Sequence, residues 1–514
     1  MLKKSAILFC LLLINISHAQ PKKSPLYQKH CAVCHGIDRT GISAPALLSQ
    51  NLKRVKKNQA KNIIKNGLPA TQMLGFNKVL NDQQIDKIID YIYSPAPEII
   101  WQKKQILSSY IKHNPQLVDN KKFAKPIFKS DPLNLFVVVE SGDHHISIVD
   151  GDNFKVLYRF VTRFALHGGP KFSPDGRFVY ITARDGWISM FDLYNLKMVA
   201  EIRVGINSRN AAVSSDGKYL AVANYLPRTL VILDAKNLNL LKIIPVKFMG
   251  KSSRVSAVYD ATPRGSFVLA LKDIEQIWEI NYQNPPPAGF GQWTHDYNKI
   301  QGDAQIKMFP IRKIDSKIKF DDFFFDQNYV QVIGASRDGK SAVIDLDIGK
   351  QIATPKLAGM PHLSSGITWN YKNTVVLATP NLKQKSISII DTTTWKTIKE
   401  IKTEGIGFFM RSHKNSLYAW ADVFFGPDKD KMMIIDKKKL EIIKTIMPIK
   451  NKTSAHIEFD RYGKNAWLSI WEKDGFVIIY DAKTLKEIKR LKMSKPVGKY
   501  NVYNKITKEE GTSH

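Results

Sequence analysis

The sequence predicts an all-β, eight-bladed propeller preceded by a small all-α domain. The main observation is a repeat that starts after Asn134, in which an apolar strand ends in Asp or Asn and a polar turn and a Lys lead into a second apolar strand. A repeat of about 40 to 50 residues with several strands is typical of a β-propeller. The repeat occurs eight times, with strand-end residues Asp150, Asp192, Asp234, Asn281, Asp345, Asp391, Asp436 and Asp481.

The intervals between these residues are 42, 42, 47, 64, 46, 45 and 45 residues. Turn glycines precede three of them by a nearly fixed distance: Gly176, Gly217 and Gly463 lie 16, 17 and 18 residues before the strand end. Glycine provides the positive φ that such turns need. The interval of 64 predicts an insertion between blades four and five. Residues 134–504 are predicted to form the propeller, and 505–514 a C-terminal tail.

The first 19 residues have the features of a cleaved export signal. Lys3 and Lys4 precede an apolar run, 6–14, and Ser17-His18-Ala19 has the small-x-small pattern of a cleavage site. The run is short for a membrane span of about 20 residues, so a transmembrane anchor is not expected. The signal predicts a periplasmic protein.

A C-x-x-C-H motif follows, formed by Cys31, Cys34 and His35. These are the only cysteines left after removal of the signal, and the motif is the attachment signature of a c-type haem, in which the histidine ligates the iron. A thioredoxin-like redox pair would need a βαβ context and no following histidine. A zinc site would need more Cys or His at ligand spacing.

The second axial ligand is predicted to be Met73, the only methionine between residues 2 and 189, in a loop that starts at Gly67. His30 is a weaker alternative. Asn81 is expected to cap a helix with an apolar stripe of isoleucines. Residues 20–105 are assigned to this small haem domain, and 106–133 to a polar linker.

The charge and the rare polar residues indicate what the propeller holds. The formal charge is +31, from 77 Lys and Arg against 46 Asp and Glu, but the lysines are scattered and form no basic arm or nucleic-acid motif. Arginine is scarce, and guanidinium pairs bidentately with carboxylates. A polycarboxylate such as a tetrapyrrole would suit the arginines that lie beside turn glycines or between apolar residues: Arg184, Arg209, Arg254, Arg264 and Arg411.

Three histidines lie in comparable loops of different blades: His167, His362 and His413. For a single one, a structural role is the simpler interpretation, whereas three together favour a shared site. Imidazole is suited to proton transfer near neutral pH.

These features resemble the cytochrome cd1 family, in which a c-haem domain is joined to an eight-bladed propeller that binds haem d1. The resemblance is carried by residues 164–176, 184–186, 205–210 and 253–255, by the His362 and His413 loops, and by 498–504. It implies that His167 is the proximal ligand of the d1 iron, and that His362 and His413 are the two distal histidines.

The family contains nitrite reductases, which make nitric oxide, and dihydro-haem d1 dehydrogenases, which oxidise a propionate side chain to an acrylate in the last step of d1 biosynthesis. The stretches 166–176, 205–225 and 70–73 resemble the dehydrogenases. Pro170 stands where the reductases typically have Arg. The resemblance therefore implies a dehydrogenase with a covalent haem c, and the alternatives are a nitrite reductase and a non-catalytic haem d1 carrier.

In the favoured interpretation, Arg184, Arg209, Arg254 and Arg411 bind the carboxylates of the tetrapyrrole. His413 is the first candidate for the base and His362 the second. Electrons pass through haem c to a periplasmic acceptor. Other haem d1 assembly proteins or a nitrite reductase are expected partners.

Overall fold

The structure is a computed structural model and describes residues 24–42, 44–67, 73–95, 99–119, 121–163, 166, 169–287, 290 and 308–512. The predicted signal, 1–19, and His167 lie outside the described residues. The chain forms two compact units: residues 1–67 with 74–99, and residues 68–73 with 100–514.

The first unit is helical, as predicted. Asn81 caps the helix Asp82–Tyr93 by accepting a hydrogen bond from the Gln84 N–H, and the stripe Ile85, Ile88, Ile89 and Ile92 is buried. Both expectations for this helix are thereby confirmed. The helices are α1 (Pro25–His30), α2 (Ala32–His35), α3 (Lys57–Asn66) and α4 (Asp82–Tyr93).

The first unit ends at Ile99, before the predicted boundary at residue 105. The segment that follows contains α5 (Lys103–Ser108), β1 (Ile111–Lys112) and α6 (Gln116–Asp119). Strand β1 pairs with a strand of the propeller, and Ile106 and Leu117 are buried in a propeller core. Much of the predicted linker, 106–133, is therefore packed on the second unit, because its few apolar residues are spaced to bury one side of a short helical segment.

Eight sheets of four strands form the propeller within the described residues, one of them extended by β1. The first half contains β2 (Leu135–Glu140), β3 (His145–Asp150), β4 (Lys155–Val161), β5 (Lys171–Phe172), β6 (Phe178–Thr182), β7 (Trp187–Asp192), β8 (Lys197–Arg203), β9 (Asn207–Val213), β10 (Tyr219–Leu226), β11 (Thr229–Asp234), β12 (Leu240–Pro245), a short hairpin of β13 (Lys247–Phe248) and β14 (Lys251–Ser252), β15 (Val255–Ala261), β16 (Ser266–Leu271), β17 (Gln276–Asn281) and β18 (Ile311–Asp315).

The second half contains β19 (Asp322–Phe325), β20 (Gln331–Ala335), β21 (Ser341–Asp345), β22 (Lys350–Ala353), β23 (Ile367–Tyr371), β24 (Thr374–Pro380), β25 (Ser386–Asp391), β26 (Thr397–Lys402), β27 (Met410–Arg411), β28 (Tyr418–Asp422), β29 (Met432–Asp436), β30 (Glu441–Ile446), β31 (Ser454–Phe459), β32 (Asn465–Ile470), β33 (Gly475–Asp481), β34 (Glu487–Met493) and β35 (Pro496–Asn501). Blade 1 consists of β35 with β2–β4, and blades 2 to 8 follow in chain order.

The eight predicted strand-end residues all end the third strand of a blade. Their side-chain oxygens accept main-chain hydrogen bonds in the next turn; Asp150, for example, accepts from the N–H of Asp152 at 2.8 Å. The predicted insertion is placed differently. Because β18 pairs with β17, the long interval lies inside blade 4 and not between two blades.

Apolar clusters join each blade to the next and close the ring. One cluster packs blade 1 against blade 2, and the series continues around to a cluster in which Phe136 of blade 1 stacks on Trp467 of blade 8 at 3.9 Å between ring centroids. Strand β35, the last strand of the propeller, pairs with β2, the strand that begins the propeller in the sequence. Each blade thus buries both faces against its neighbours.

The channel has two faces. The first strand of each blade lies innermost and lines the central channel. Because the blades share one topology, all these strands begin on one side of the ring, called here the front face, and end on the other, the back face. The described part of the predicted tail, 505–512, packs on the propeller. Its helix α7 (Val502–Thr507) leads to Gly511, whose N–H donates to the carbonyl of Thr368 and whose carbonyl accepts from the N–H of Ser412. The C-terminal residues therefore pack on the back face of blades 6 and 7.

Candidate functional site

The C-x-x-C-H residues of the first unit have the geometry of a haem attachment site. Cys31 and Cys34 are partly buried free thiols. His35 donates from Nδ1 to the carbonyl of Pro45 at 2.8 Å, which leaves Nε2 with a lone pair to ligate iron. Burial raises the pKa of Cys31 to about 11. A redox-active C-x-x-C pair has a lowered thiol pKa, so this environment disfavours the thioredoxin-like alternative.

The same unit exposes apolar side chains that a small domain would normally bury. Val33 is 77% exposed, Ile42 63% and Leu74 73%. Val33 lies within the C-x-x-C-H motif, and the N–H of Ile42 donates to the carbonyl of Cys34 at 3.0 Å. Exposed apolar side chains beside the motif fit an apolar macrocycle attached at Cys31. Met73 is partly buried and belongs to the segment 68–73 that groups with the second unit, so its role as axial ligand stays a prediction.

The second candidate site lies at the front face of the propeller. Arg209 is in the first half of β9 and His362 precedes β23, whereas Arg411 lies further along the channel, as the last residue of the two-residue strand β27. The two arginines and His362 are electrostatic neighbours, since both guanidinium groups lower the pKa of the imidazole. Arg411 is buried, with Nε 3.8 Å from Oε2 of Glu458. The structure thus brings together three of the predicted residues.

His362 is held as a neutral imidazole. Its Nδ1 donates to the carbonyl of Phe408 at 2.7 Å, and Nε2 accepts from the hydroxyl of Ser364 at 3.1 Å. Burial lowers the pKa of His362 to about 4, and Arg209 and Arg411 add to this. The ring is therefore uncharged at neutral pH, and both its nitrogens are engaged.

His456 is a further candidate residue that the loop argument did not predict. It lies in β31, 3% exposed, with its ring 4.9 Å from Phe409 and 5.1 Å from Tyr500. The Phe409 ring is also 6.2 Å from His362, so both imidazoles border the same aromatic residue. Burial lowers the pKa of His456 well below its usual value, and Lys499 and Arg411 add to the effect. Its Nδ1 has no hydrogen-bond partner among the described residues.

The loop that carries the predicted ligand His167 reaches this same region. A Cβ on Gly169 would come within 2.9 Å of the Tyr500 ring. This close approach requires glycine at the position. Gly169, two residues after His167, therefore lies beside Tyr500, whose ring is a neighbour of the His456 ring. His167 itself lies outside the described residues, so its role as d1 ligand stays a prediction.

His413 does not join this group, which corrects its predicted pairing with His362. It follows β27, five residues after Phe408, and an extended strand covers about 16 Å over that distance. Its Nδ1 accepts from the N–H of Asn415 at 3.1 Å, and its ring is 6.3 Å from that of Phe459, the last residue of β31. Its carbonyl accepts from Lys437 at 3.1 Å. His413 therefore lies at the back face.

Arg254 and Arg184, also predicted to bind carboxylates, differ in their hydrogen-bond partners. Arg254 forms a bidentate pair with Asp273, at 2.9 Å from Nε and 2.5 Å from Nη2. A guanidinium neutralised in this way is a poorer ligand for a substrate carboxylate. Arg184 is partly buried in the turn after β6, and its carbonyl accepts from the N–H of Ser208. Because Ser208 directly precedes Arg209, Arg184 lies at the front face beside the Arg209 backbone.

Residues 130–505 match the family model of the cytochrome D1 heme domain. The chain belongs to the cytochrome d1 haem-domain family. Residues 21–92 match a second model, that of the cbb3-type cytochrome c oxidase subunit III. The cytochrome d1 family thus accounts for the propeller, and a cytochrome c-type module accounts for the first unit.

Individual relatives cover nearly the whole chain. Dihydro-heme d1 dehydrogenase of Pseudomonas aeruginosa is 48% identical over 503 residues, 96% of this chain and 97% of that protein. The solved structure of dihydro-heme d1 dehydrogenase NirN in complex with DHE matches with a TM-score of 0.87 at 48% identity, over 94% of this chain and 99% of that chain. Nitrite reductase of Stutzerimonas stutzeri is 25% identical over 537 residues, 93% of this chain and 92% of that protein.

No helix in the part of the chain that the structure describes is long and apolar enough to cross a bilayer.

Proposed function

We propose that this chain is a periplasmic dihydro-haem d1 dehydrogenase, which oxidises a propionate side chain of its tetrapyrrole substrate to an acrylate. The observation that carries the proposal is the near full-length similarity to a dihydro-heme d1 dehydrogenase, in sequence and in structure. The front face supports it, because cationic and neutral imidazole side chains meet there beside aromatic rings.

The arginines of the front face bind and orient the substrate. Arg209 and Arg411 are cations in a partly dry channel, where an ion pair with a carboxylate is stronger than in water. Arg184, in the neighbouring turn, extends the same surface. Arg254 has a lesser part, because Asp273 already neutralises it.

The reaction removes two electrons and two protons from adjacent side-chain carbons, between which a double bond forms. His456 is the better placed base, since its Nδ1 has no partner within the described chain, whereas both nitrogens of His362 are hydrogen-bonded. Both rings are neutral at pH 7 and can accept a proton. His362 is partly exposed and can pass the second proton to solvent.

The electrons leave through the first unit. Cys31, Cys34 and His35 would hold a haem c, which would supply one-electron transfer to an external periplasmic acceptor. Met73 completes its ligand set in this proposal. The export signal at 1–19 supports the location, and other haem d1 assembly proteins or a nitrite reductase are the expected recipients of the product.

The alternative function is nitrite reduction with haem d1 as a permanent cofactor. Two neutral histidines at one face also suit proton delivery to nitrite, and a nitrite reductase is among the relatives. Its lower identity and Pro170, in place of the arginine typical of that branch, favour the dehydrogenase. A non-catalytic carrier would not need two buried imidazoles beside an aromatic ring.

Incubation of the haem c-loaded protein with dihydro-haem d1 and an electron acceptor tests the proposal. The expected result is the absorption spectrum of finished haem d1, formed in many turnovers per protein. Absence of conversion, together with nitrite turnover after loading with haem d1, would establish the reductase instead. Binding without either reaction would establish a carrier.

A further inference from the structure

The backbone of His456 is held in an unusual conformation. Its φ is +53°, in the left-handed region that non-glycine residues rarely adopt. The pairing of β31 with β32 shifts register between Ala455 and Ile457, so His456 is the extra residue of a β-bulge. Bulges redirect a side chain, and strained residues persist only where their surroundings hold them.

One of the groups that hold it is Asp422, a fully buried carboxylate at the end of β28. Its Oδ2 accepts from the N–H of His456 at 3.4 Å. Its Oδ1 accepts from the N–H groups of Phe408 and Phe409 at 2.7 and 3.0 Å. The carbonyl of Phe408 in turn accepts from His362. A single carboxylate therefore contacts the supports of both histidines.

The other group is Lys499, a fully buried residue of β35. Its Nζ donates to the carbonyl of His456 and, at 2.9 Å, to the hydroxyl of Ser469. The His456 residue is thus held on both sides, at its N–H by Asp422 and at its carbonyl by Lys499. Burial raises the pKa of Asp422 to about 7 and lowers the pKa of Lys499 well below its usual value, and each group partly offsets this effect on the other. Hydrogen bonds to both groups compensate for their burial.

We propose that Asp422 and Lys499 are positioning residues, which clamp the His456 bulge so that its ring faces the channel, and that Asp422 also orients His362 through Phe408. The proposal rests on the proposed function for its catalytic readout. Neither side chain needs to touch the substrate, because each acts on the peptide groups that hold the imidazoles.

Asp422→Asn tests the clamp selectively. The amide retains one oxygen for the N–H groups of Phe408 and Phe409 but presents an NH₂ group to the N–H of His456. We expect kcat to fall by about 30- to 100-fold, as for a misplaced catalytic group, while the Kd for dihydro-haem d1 changes less than threefold. Hydrogen exchange should increase in peptides that cover 454–458 and not in those that cover 475–481.

Asp460→Asn is the matched control. Asp460 is a buried carboxylate just after the same strand, with its pKa raised by burial, and it accepts a main-chain hydrogen bond from Lys464 at 2.8 Å. It lies at the back-face end of β31, so kcat and exchange at 454–458 should stay as in the wild type. An equal loss of kcat in both variants would overturn the proposal.

Unchanged kcat and exchange in Asp422→Asn would also overturn it, as would a loss of substrate binding as large as the loss of kcat. If that variant does not fold, Lys499→Met tests the other side of the clamp with the same readouts and the same criteria. If the wild type does not convert dihydro-haem d1, the proposed function fails, and the exchange at 454–458 still decides whether the clamp exists.

Discussion

The front and back faces of the propeller both carry histidines that are buried or half-buried, but in different surroundings. At the front face, His362 and His456 border the ring of Phe409 and lie near Arg411. At the back face, His413 packs among turns and under the C-terminal residues, where Gly511 contacts Ser412. Burial therefore does not distinguish the two sites, whereas the charged and aromatic groups around each histidine do.

The C-terminal segment accounts for much of this difference. Glu509 and Glu510 pair with Lys414 and Lys437 at 2.7 and 2.9 Å, which fastens the segment over the back face. Because the C-terminal segment covers the back face, we expect a substrate to reach the channel from the front.

The largest expected effect is the difference in kcat between variants of His456, at the front face, and of His413, at the back face. His456→Ala should lower kcat by about 10²- to 10³-fold, because it removes a group placed for general base catalysis, with substrate affinity changed less than tenfold. His413→Ala should leave kcat within threefold of the wild type. Steady-state conversion of dihydro-haem d1 and absorption titration of binding measure both. The reverse order of the two losses would refute the assignment of faces.

Substrate binding sharpens the contrast within the front face. Arg209→Met should weaken the binding of dihydro-haem d1 by about tenfold or more, since a charge-assisted hydrogen bond contributes about 1.5–3 kcal/mol. Arg254→Met is the matched control and should change the Kd less than threefold, because Asp273 already holds that guanidinium. Equal effects in a binding titration would show that the Arg254–Asp273 pair opens to bind substrate.

The lowered pKa of His362 predicts an acid sensitivity of stability. The pKa is about 4 in the folded protein and 6.5 as the ordinary value, so the unfolded chain binds more protons between these pH values and stability falls as pH decreases through them. The wild type should lose about 1–2 kcal/mol between pH 8 and pH 5 that His362→Asn does not lose. Urea unfolding of both proteins at the two pH values measures the difference. Equal losses would show that the imidazole charges freely in the folded state.

The smallest expected effect on catalysis comes from the back face. Deletion of residues 509–514 removes the ion pairs to Lys414 and Lys437 and should lower Tm by about 3–6 °C, with kcat within twofold. Thermal unfolding and the conversion assay provide the measurements. A large loss of kcat at unchanged Tm would place the C-terminal segment in the catalytic site.

The repeat predicted much of the fold, because each turn after a third strand needs a carboxylate or amide to accept its main-chain hydrogen bonds. Asp150 and its seven counterparts can therefore be recognised from the sequence alone. The sequence predicts the insertion between blades four and five, because the strand Ile311–Asp315 follows a long interval and has no marker residue of its own. Its pairing with β17 becomes visible only in three dimensions.

The site was harder to predict, because one residue of an inner strand covers only about 3.3 Å and a few residues separate one face from the other. Arg411-Ser412-His413 has the composition of a functional loop, yet the strand carries His413 to the back. His456 was overlooked because it lies in a strand. The available signals were a histidine between apolar neighbours in Ala455-His456-Ile457 and a buried acid in Ala421-Asp422-Val423.

An anaerobic single-turnover experiment tests the central claim most directly. Oxidised, haem c-loaded protein is mixed with dihydro-haem d1 in the absence of an external acceptor, and the formation of haem d1 and the reduction of haem c are followed together by absorption. The account predicts that both appear together, with two haems c reduced per haem d1 formed, in the wild type and in His413→Ala and not in His456→Ala. Formation of haem d1 while haem c stays oxidised, or no haem d1 from the wild type, would contradict it.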